Sequence, residues 1–152
     1  MRRKDREMDS AFALEVLRDC EYATLATTNP DGTPYCIPLS HVVVGNAIYF
    51  HCANEGHKLV NIKFTDSVCI SGVRRTSLVP EKFTTEYESA VATGRCSVVT
   101  DDEEKIMALI KICEKYAKGY IDHAEAEIAK MLHRTCVCRI DIRHITGKAN
   151  KG

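Results

Sequence analysis

The stretch YATLATTNPDGTPYCIPLSHVVVGNAIYFHCA, residues 22–53, decides the fold. Three runs rich in Thr, Val, Ile, Tyr and Phe are separated by two turn signals, which is a pattern of strands rather than helices. Residues 22–28 form the first run. Asn29-Pro30-Asp31-Gly32 follows, with Pro presetting φ and Gly tolerating φ > 0. Residues 34–44 form the second run. Its internal Pro38 cannot donate to a ladder, so it marks an edge or a bulge. Gly45-Asn46 is a two-residue hairpin signal, and residues 47–53 are the third run. The expectation is a meander of three antiparallel strands.

Upstream, residues 9–20 read as a helix. Ala13, Val16, Leu17 and Cys20 recur at i, i+3, i+4, i+7, and Asp9 or Ser10 can cap it. Downstream, residues 55–64 predict a short helix with Leu59 and Ile62 on one face. Residues 67–74 predict a strand, and 75–82 a loop around Pro80. Residues 83–99 predict a long strand that bulges or bends at Gly94. Thr100 opens a capping box with Glu103, ahead of a helical stripe of Ile106, Leu109, Ile110, Cys113, Tyr116 and Ala117. A shorter helix, 123–133, follows Gly119, and 135–145 is the last strand. Six strands of this length close most economically into a small barrel. The fold class is therefore α+β, mainly β: an antiparallel barrel with peripheral helices, in a single domain over 1–152.

The 152 residues carry 21 basic and 21 acidic side chains, a formal net charge of +0. Neutrality gives no general reason to bind nucleic acid or an anionic membrane surface. No apolar run approaches the roughly 20 residues of a bilayer span. The N-terminus, MRRKDREMDS, is charged and no apolar signal segment follows it, so a cytoplasmic location is expected. Eight cysteines invite a disulfide framework, but a chain of this size does not need staples. They are expected to be reduced thiols acting as small hydrophobes.

Cys136-Val137-Cys138 could bind metal or cycle as a dithiol. In a strand, however, Cys136, Cys138, Ile140 and Ile142 share one apolar face. Core packing explains both cysteines, and His133 stands at no common zinc spacing, so no metal is expected. His51-Cys52-Ala53-Asn54-Glu55-Gly56-His57-Lys58 offers more. A strand ends, a tight turn with Gly56 follows, and a helix starts with two basic residues. A helix N-terminus presents unpaired N–H groups and partial positive charge, which makes this a cradle for a phosphate. The plainer reading is an ordinary strand-to-helix turn. His41 and His51 read first as structural strand histidines. No Ser-His-Asp or H-E-x-x-H arrangement is visible.

In this order, the segments MRRKDRE, LATTNPDGTPYCIPLSHVV, IYFHCANEGHKLVNI, TTEYESAVATGR and ITGK resemble the pyridoxamine 5′-phosphate oxidase-like flavoproteins. They look most like the branch related to nitroimidazole-resistance proteins. The resemblance implies a Greek-key split β-barrel homodimer that binds FMN at the subunit interface. It implies that Gly56, His57 and Lys58 hold the flavin phosphate. His51, Cys52 and Ala53, with Pro38, Leu39 and Ser40, would lie along the flavin. The segment at Glu88 and Ser89 would approach it across the dimer. It further implies that His51 is a catalytic residue, and that electrons pass from NAD(P)H or a protein donor to a small electrophilic acceptor such as a nitroaromatic. His57 stands where the oxidases carry a phosphate-binding Arg, and no arginine-rich tail is present, which argues against true pyridoxamine phosphate oxidase activity. Two other readings stand beside this one: a flavin-binding or redox-sensing module without turnover, and a cytosolic metal or thiol protein.

Overall fold

The first helix begins where the sequence supplies a cap: the Asp9 carboxylate accepts from the Phe12 N–H at 2.8 Å. The computed structural model describes residues 2–151. Its elements in order are β1 (Glu7–Met8), α1 (Ser10–Asp19), β2 (Ala23–Thr28), β3 (Pro34–Leu39), β4 (Val42–Val44) and β5 (Ala47–Ala53). These are followed by α2 (His57–Phe64), β6 (Ser67–Val79), β7 (Thr84–Val98), α3 (Asp102–Tyr116), α4 (Ile121–Met131) and β8 (Thr135–Asn150). The strands form one antiparallel sheet in the order β3-β2-β6-β7-β8-β5-β4, with β1 paired to β8.

The mainly antiparallel class with peripheral helices stands. The strand count does not: the described residues form eight strands, not six. Residues 34–44 are not one strand. They break at Ser40 and His41, because His41 leaves the pleat and is fully buried. The two halves become opposite edges of the sheet, so the expected meander is two separate hairpins, β2–β3 and β4–β5. Pro38 does lie on an edge strand, where its missing donor costs no ladder bond. Two residues alone connect the outermost strands. The sheet must therefore curl until its edges approach, giving a barrel that is split rather than closed by ladder bonds.

Other boundaries moved for identifiable reasons. β6 and β7 form one long hairpin, so residues 75–79 are strand rather than loop. β8 runs on to Asn150 because β7 and β1 both offer it partners there. The cap of α3 is Asp101, accepting from the Glu104 N–H at 2.8 Å, not Thr100. A carboxylate one residue later serves the same orphan donor. Gly45-Asn46 forms the two-residue turn between Val44 and Ala47. The register shifts at Gly94, where a Cβ would lie 2.2 Å from the Asp141 carbonyl oxygen, so only glycine allows this bend.

Two apolar clusters flank the sheet. One fills the barrel: Val16 and Leu17 of α1 meet Leu25, Ile48, Phe50, Ile70, Cys138 and Ile140. The other lies under α3 and α4, where Ala108, Leu109, Ile112 and Ile128 cover Val42, Tyr49 and Val137. Ala47, Ile48, Tyr49 and Phe50 of β5 are thus all buried, and alternate residues report to different clusters. Among the described residues, no helix is long and apolar enough to cross a membrane.

Candidate functional site

β5 ends at Ala53, and three residues later α2 begins with Gly56 at its N-cap. Gly56 has φ 138°, a conformation that strains any L side chain. No side chain caps this helix. Leu59 and Val60 donate back to the Gly56 carbonyl at 3.0 and 3.3 Å. The N–H groups of His57 and Lys58 precede those donors and have no helical acceptor. Gly56 and His57 are exposed at this turn and Lys58 is half-buried. The Asn54 side chain donates to the His133 carbonyl at 3.0 Å and ties the turn to the chain end of α4. This is the chemistry of an anion cradle: backbone donors, a helix start and one lysine.

The His57 side chain is already engaged. Its ring stacks on Tyr35 with centroids 4.4 Å apart, and its Nε2–H donates to the Asn29 side-chain oxygen at 2.7 Å. That oxygen also accepts from the Asn61 amide at 2.8 Å, and the same amide donates to the Thr27 hydroxyl at 3.0 Å. Asn61 is fully buried, so this network bolts α2 to the β2–β3 turn. The network was not legible in the sequence, where only the Asn29-Pro30-Asp31-Gly32 turn stood out. With its ring engaged, His57 has only its backbone N–H to offer at the turn, and Lys58 is the basic side chain beside it.

His51 is exposed at the end of β5. Partial removal of water from its ring, and then the Lys58 charge, push its pKa below the ordinary imidazole value, so the ring is neutral at pH 7. Cys52, the next residue, points to the other face of the strand and packs against the barrel cluster. Contact with the Cys138 thiol, then burial, hold the Cys52 thiol well above the ordinary thiol range. Side chains 51 and 52 therefore do not share one face. Ala53 is exposed where the strand meets the turn.

Pro38 and Leu39 end β3, and Ser40 follows in the link to β4. From Ser40 the chain crosses to Val42, which pairs with Tyr49, two residues from His51. The split edge thus brings the 38–40 segment toward the end of β5. Ser89 is elsewhere. It pairs with Lys148 on β8, whereas His51 pairs with Val137. Roughly 35 Å of that strand separates the two. Glu88 beside it is held by Arg74 at 2.7 Å. Within one chain, His51, Gly56, His57 and Lys58 come together, and Ser89 does not join them.

The sequence profile described as pyridoxamine 5′-phosphate oxidase matches residues 9–149, nearly the whole described chain. The chain belongs to the pyridoxamine 5′-phosphate oxidase family. No curated protein matches the chain. Solved structures share the fold of this family member. A conserved hypothetical protein of Mycobacterium tuberculosis superposes with a TM-score of 0.84 at 19% identity, covering 98% of this chain and 89% of that one. A FAD and heme binding protein of Mycobacterium smegmatis gives 0.80 at 19%, covering 97% and 74%. A candidate 5-nitroimidazole antibiotic resistance protein of Bacteroides thetaiotaomicron gives 0.77 at 24%, covering 94% and 86%. In this pyridoxamine 5′-phosphate oxidase family member, the turn at Gly56–Lys58 lies within the matched residues.

Proposed function

We propose that the protein binds FMN on the rim formed by the end of β5 and the start of α2, and reduces a small electrophilic acceptor such as a nitroaromatic. The observation that carries this reading is the uncapped helix start, with Lys58 beside it, at the end of the strand that bears His51. Family membership supports a flavin, and two similar structures are of a FAD and heme binding protein and a candidate 5-nitroimidazole resistance protein. The bound flavin supplies the electron or hydride chemistry. The chain's own groups bind and orient. The His57 and Lys58 N–H groups donate to phosphate oxygens, and the Lys58 ammonium balances their charge. His51 is neutral at pH 7, so its part is to orient an acceptor by hydrogen bonding.

The rim is an open surface, and an isoalloxazine laid on it would be covered on one side only. We infer a homodimer in which the partner covers the other side. Val73, Val91, Leu78 and Phe83 leave an exposed apolar strip along β6–β7 that suits such a contact, and Phe83 is 98% exposed. NAD(P)H is the expected electron source, and the cytoplasm the expected location.

The first test is the colour of natively purified protein. A yellow preparation that releases FMN on denaturation is expected. Lys58→Ala should weaken FMN binding by about 1.5–3 kcal/mol, the scale of a charge-assisted bond, as read by fluorescence titration. Unchanged affinity would remove the phosphate assignment. A monomer in sedimentation that still holds FMN would contradict the shared site. NAD(P)H consumption with a nitroimidazole should exceed that of free FMN at equal concentration. If it does not, the protein is a flavin-binding module without turnover.

A further inference from the structure

The interior holds a group of side chains that the flavin reading leaves unused. β5 and β8 pair with Cys52 opposite Cys136, and Cys138 lies two residues further along the same face of β8. The three Sγ atoms all lie within 4.8 Å of one another. Cys136 and Cys138 are buried, Cys52 is half-buried, and all three are free thiols. Core packing explains each cysteine singly. It does not explain why three converge at the one place where β5 and β8 meet.

Three sulfurs each about 2.3 Å from a single trigonal ion lie about 4.0 Å from one another. A small contraction of the observed triangle reaches that spacing. The donor set is sulfur alone, which selects soft, thiophilic ions over hard cations. Cys96 touches Cys138 from the neighbouring strand but stands outside the triangle, so the set is three-coordinate rather than tetrahedral. Three thiolates around a monovalent ion leave two negative charges, which an apolar interior resists. Contact with Cys138 and then burial raise the Cys52 thiol, and burial first raises that of Cys136; Lys58 and Lys105 act against this without reversing it, so the metal itself must displace the protons. Cys52 provides the solvent-facing side through which an ion can arrive.

We propose that Cys52, Cys136 and Cys138 form a three-thiolate site for a soft monovalent metal ion of the Cu(I) class. On binding, three S–H bonds release their protons to water and three metal–sulfur bonds form, with no change of oxidation state. The site does not depend on the flavin reading, because its donors lie on the barrel side of β5 and His51 lies on the other.

The test is an anaerobic titration of the full-length protein with Cu(I) against a chromophoric competing chelator, with X-ray absorption on the loaded protein. One equivalent bound by three sulfurs is expected. Cys136→Ser and the half-buried Cys52→Ala should each weaken binding at least about 100-fold, more than loss of an outer-sphere partner costs. Circular dichroism of each variant reports whether the fold is kept, and Cys52→Ala serves if Cys136→Ser unfolds. A Cys36→Ser, Cys69→Ser double variant, altered at two thiols outside the triangle, should bind as the unaltered protein does. The proposal fails if Cys52→Ala binds Cu(I) with unchanged affinity. It also fails if the double variant loses the ion, or if absorption shows four sulfurs with Cys96 among them.

Discussion

His41 and His51 lie ten residues apart and bracket the same hairpin, yet their surroundings share almost nothing. His41 closes the split edge of the barrel and is fully buried. Its Nε2–H donates to the Leu17 carbonyl at 2.6 Å, and its backbone N–H donates to the Tyr116 hydroxyl at 3.0 Å. Its carbonyl accepts from the Lys115 ammonium at 3.1 Å. Three elements, α1, α3 and the β3–β4 link, are joined through one residue. Burial first, and the Lys115 charge second, push its pKa down to about 4. His51 sits on an exposed rim, and among the described residues its ring has no hydrogen-bond partner. The same side chain is spent on architecture in one place and left free in the other. Partner count and burial separate the two, and residue type does not.

The corner should break hardest. His41→Ala removes a buried ring together with its bond to Leu17, and should cost about 3–4 kcal/mol in urea or thermal unfolding. FMN affinity per folded molecule should stay the same. A variant as stable as the parent would end the architectural account of His41.

Acid should act on the same corner. The unfolded imidazole takes up its proton near pH 6.5, while the native one resists until about 4. The unfolded state therefore binds more protons between those values, and stability falls as pH drops from about 6.5 to 4. The full loss is about 3 kcal/mol, with no contribution above pH 6.5. In His41→Gln this part of the acid slope should vanish. An identical slope in parent and variant would assign it to other groups.

The rim should respond in the opposite sense. Lys58→Ala, with its binding loss of about 1.5–3 kcal/mol, should leave the unfolding midpoint of the flavin-free protein in place. A large fall in stability would move Lys58 to the architectural side. His57→Ala sharpens the boundary, since His57 belongs to the rim by backbone and to the frame by side chain. Loss of the Tyr35 stack together with the bond to Asn29 should cost about 1–2 kcal/mol of stability in chemical denaturation. FMN affinity should barely change, and an affinity loss as large as that of Lys58→Ala would assign the ring itself to the cradle.

What could be read from the sequence was local. Gly45-Asn46, the bulge at Gly94, the edge position of Pro38 and the basic turn at Gly56–Lys58 all carry their signal within a few residues. The break at Ser40–His41 carried none. Ser40 and His41 are polar, but a polar pair does not by itself end a strand, and it is tertiary burial of His41 that ends this one. The Tyr35–His57 stack and the Asn29–Asn61 bond join segments distant in the chain, and no spacing rule links them. Cys136 and Cys138 were legible as neighbours on one face, but Cys52 was not. Its place beside them follows from the β5–β8 register, which the sequence does not display.

That register also governs how the molecule assembles. The β2–β3, β4–β5 and β6–β7 hairpins join neighbours in the chain and can form early. β5 meets β8 only after the whole intervening length of chain is in place, and closing so long a loop has an entropic cost that slows the step. The rim that bears His51 and the sulfur triangle beneath it share this late pairing. On a ribosome, the chain would emerge with most of its hairpins formed and neither site present, and both would arise together when the last strand docked.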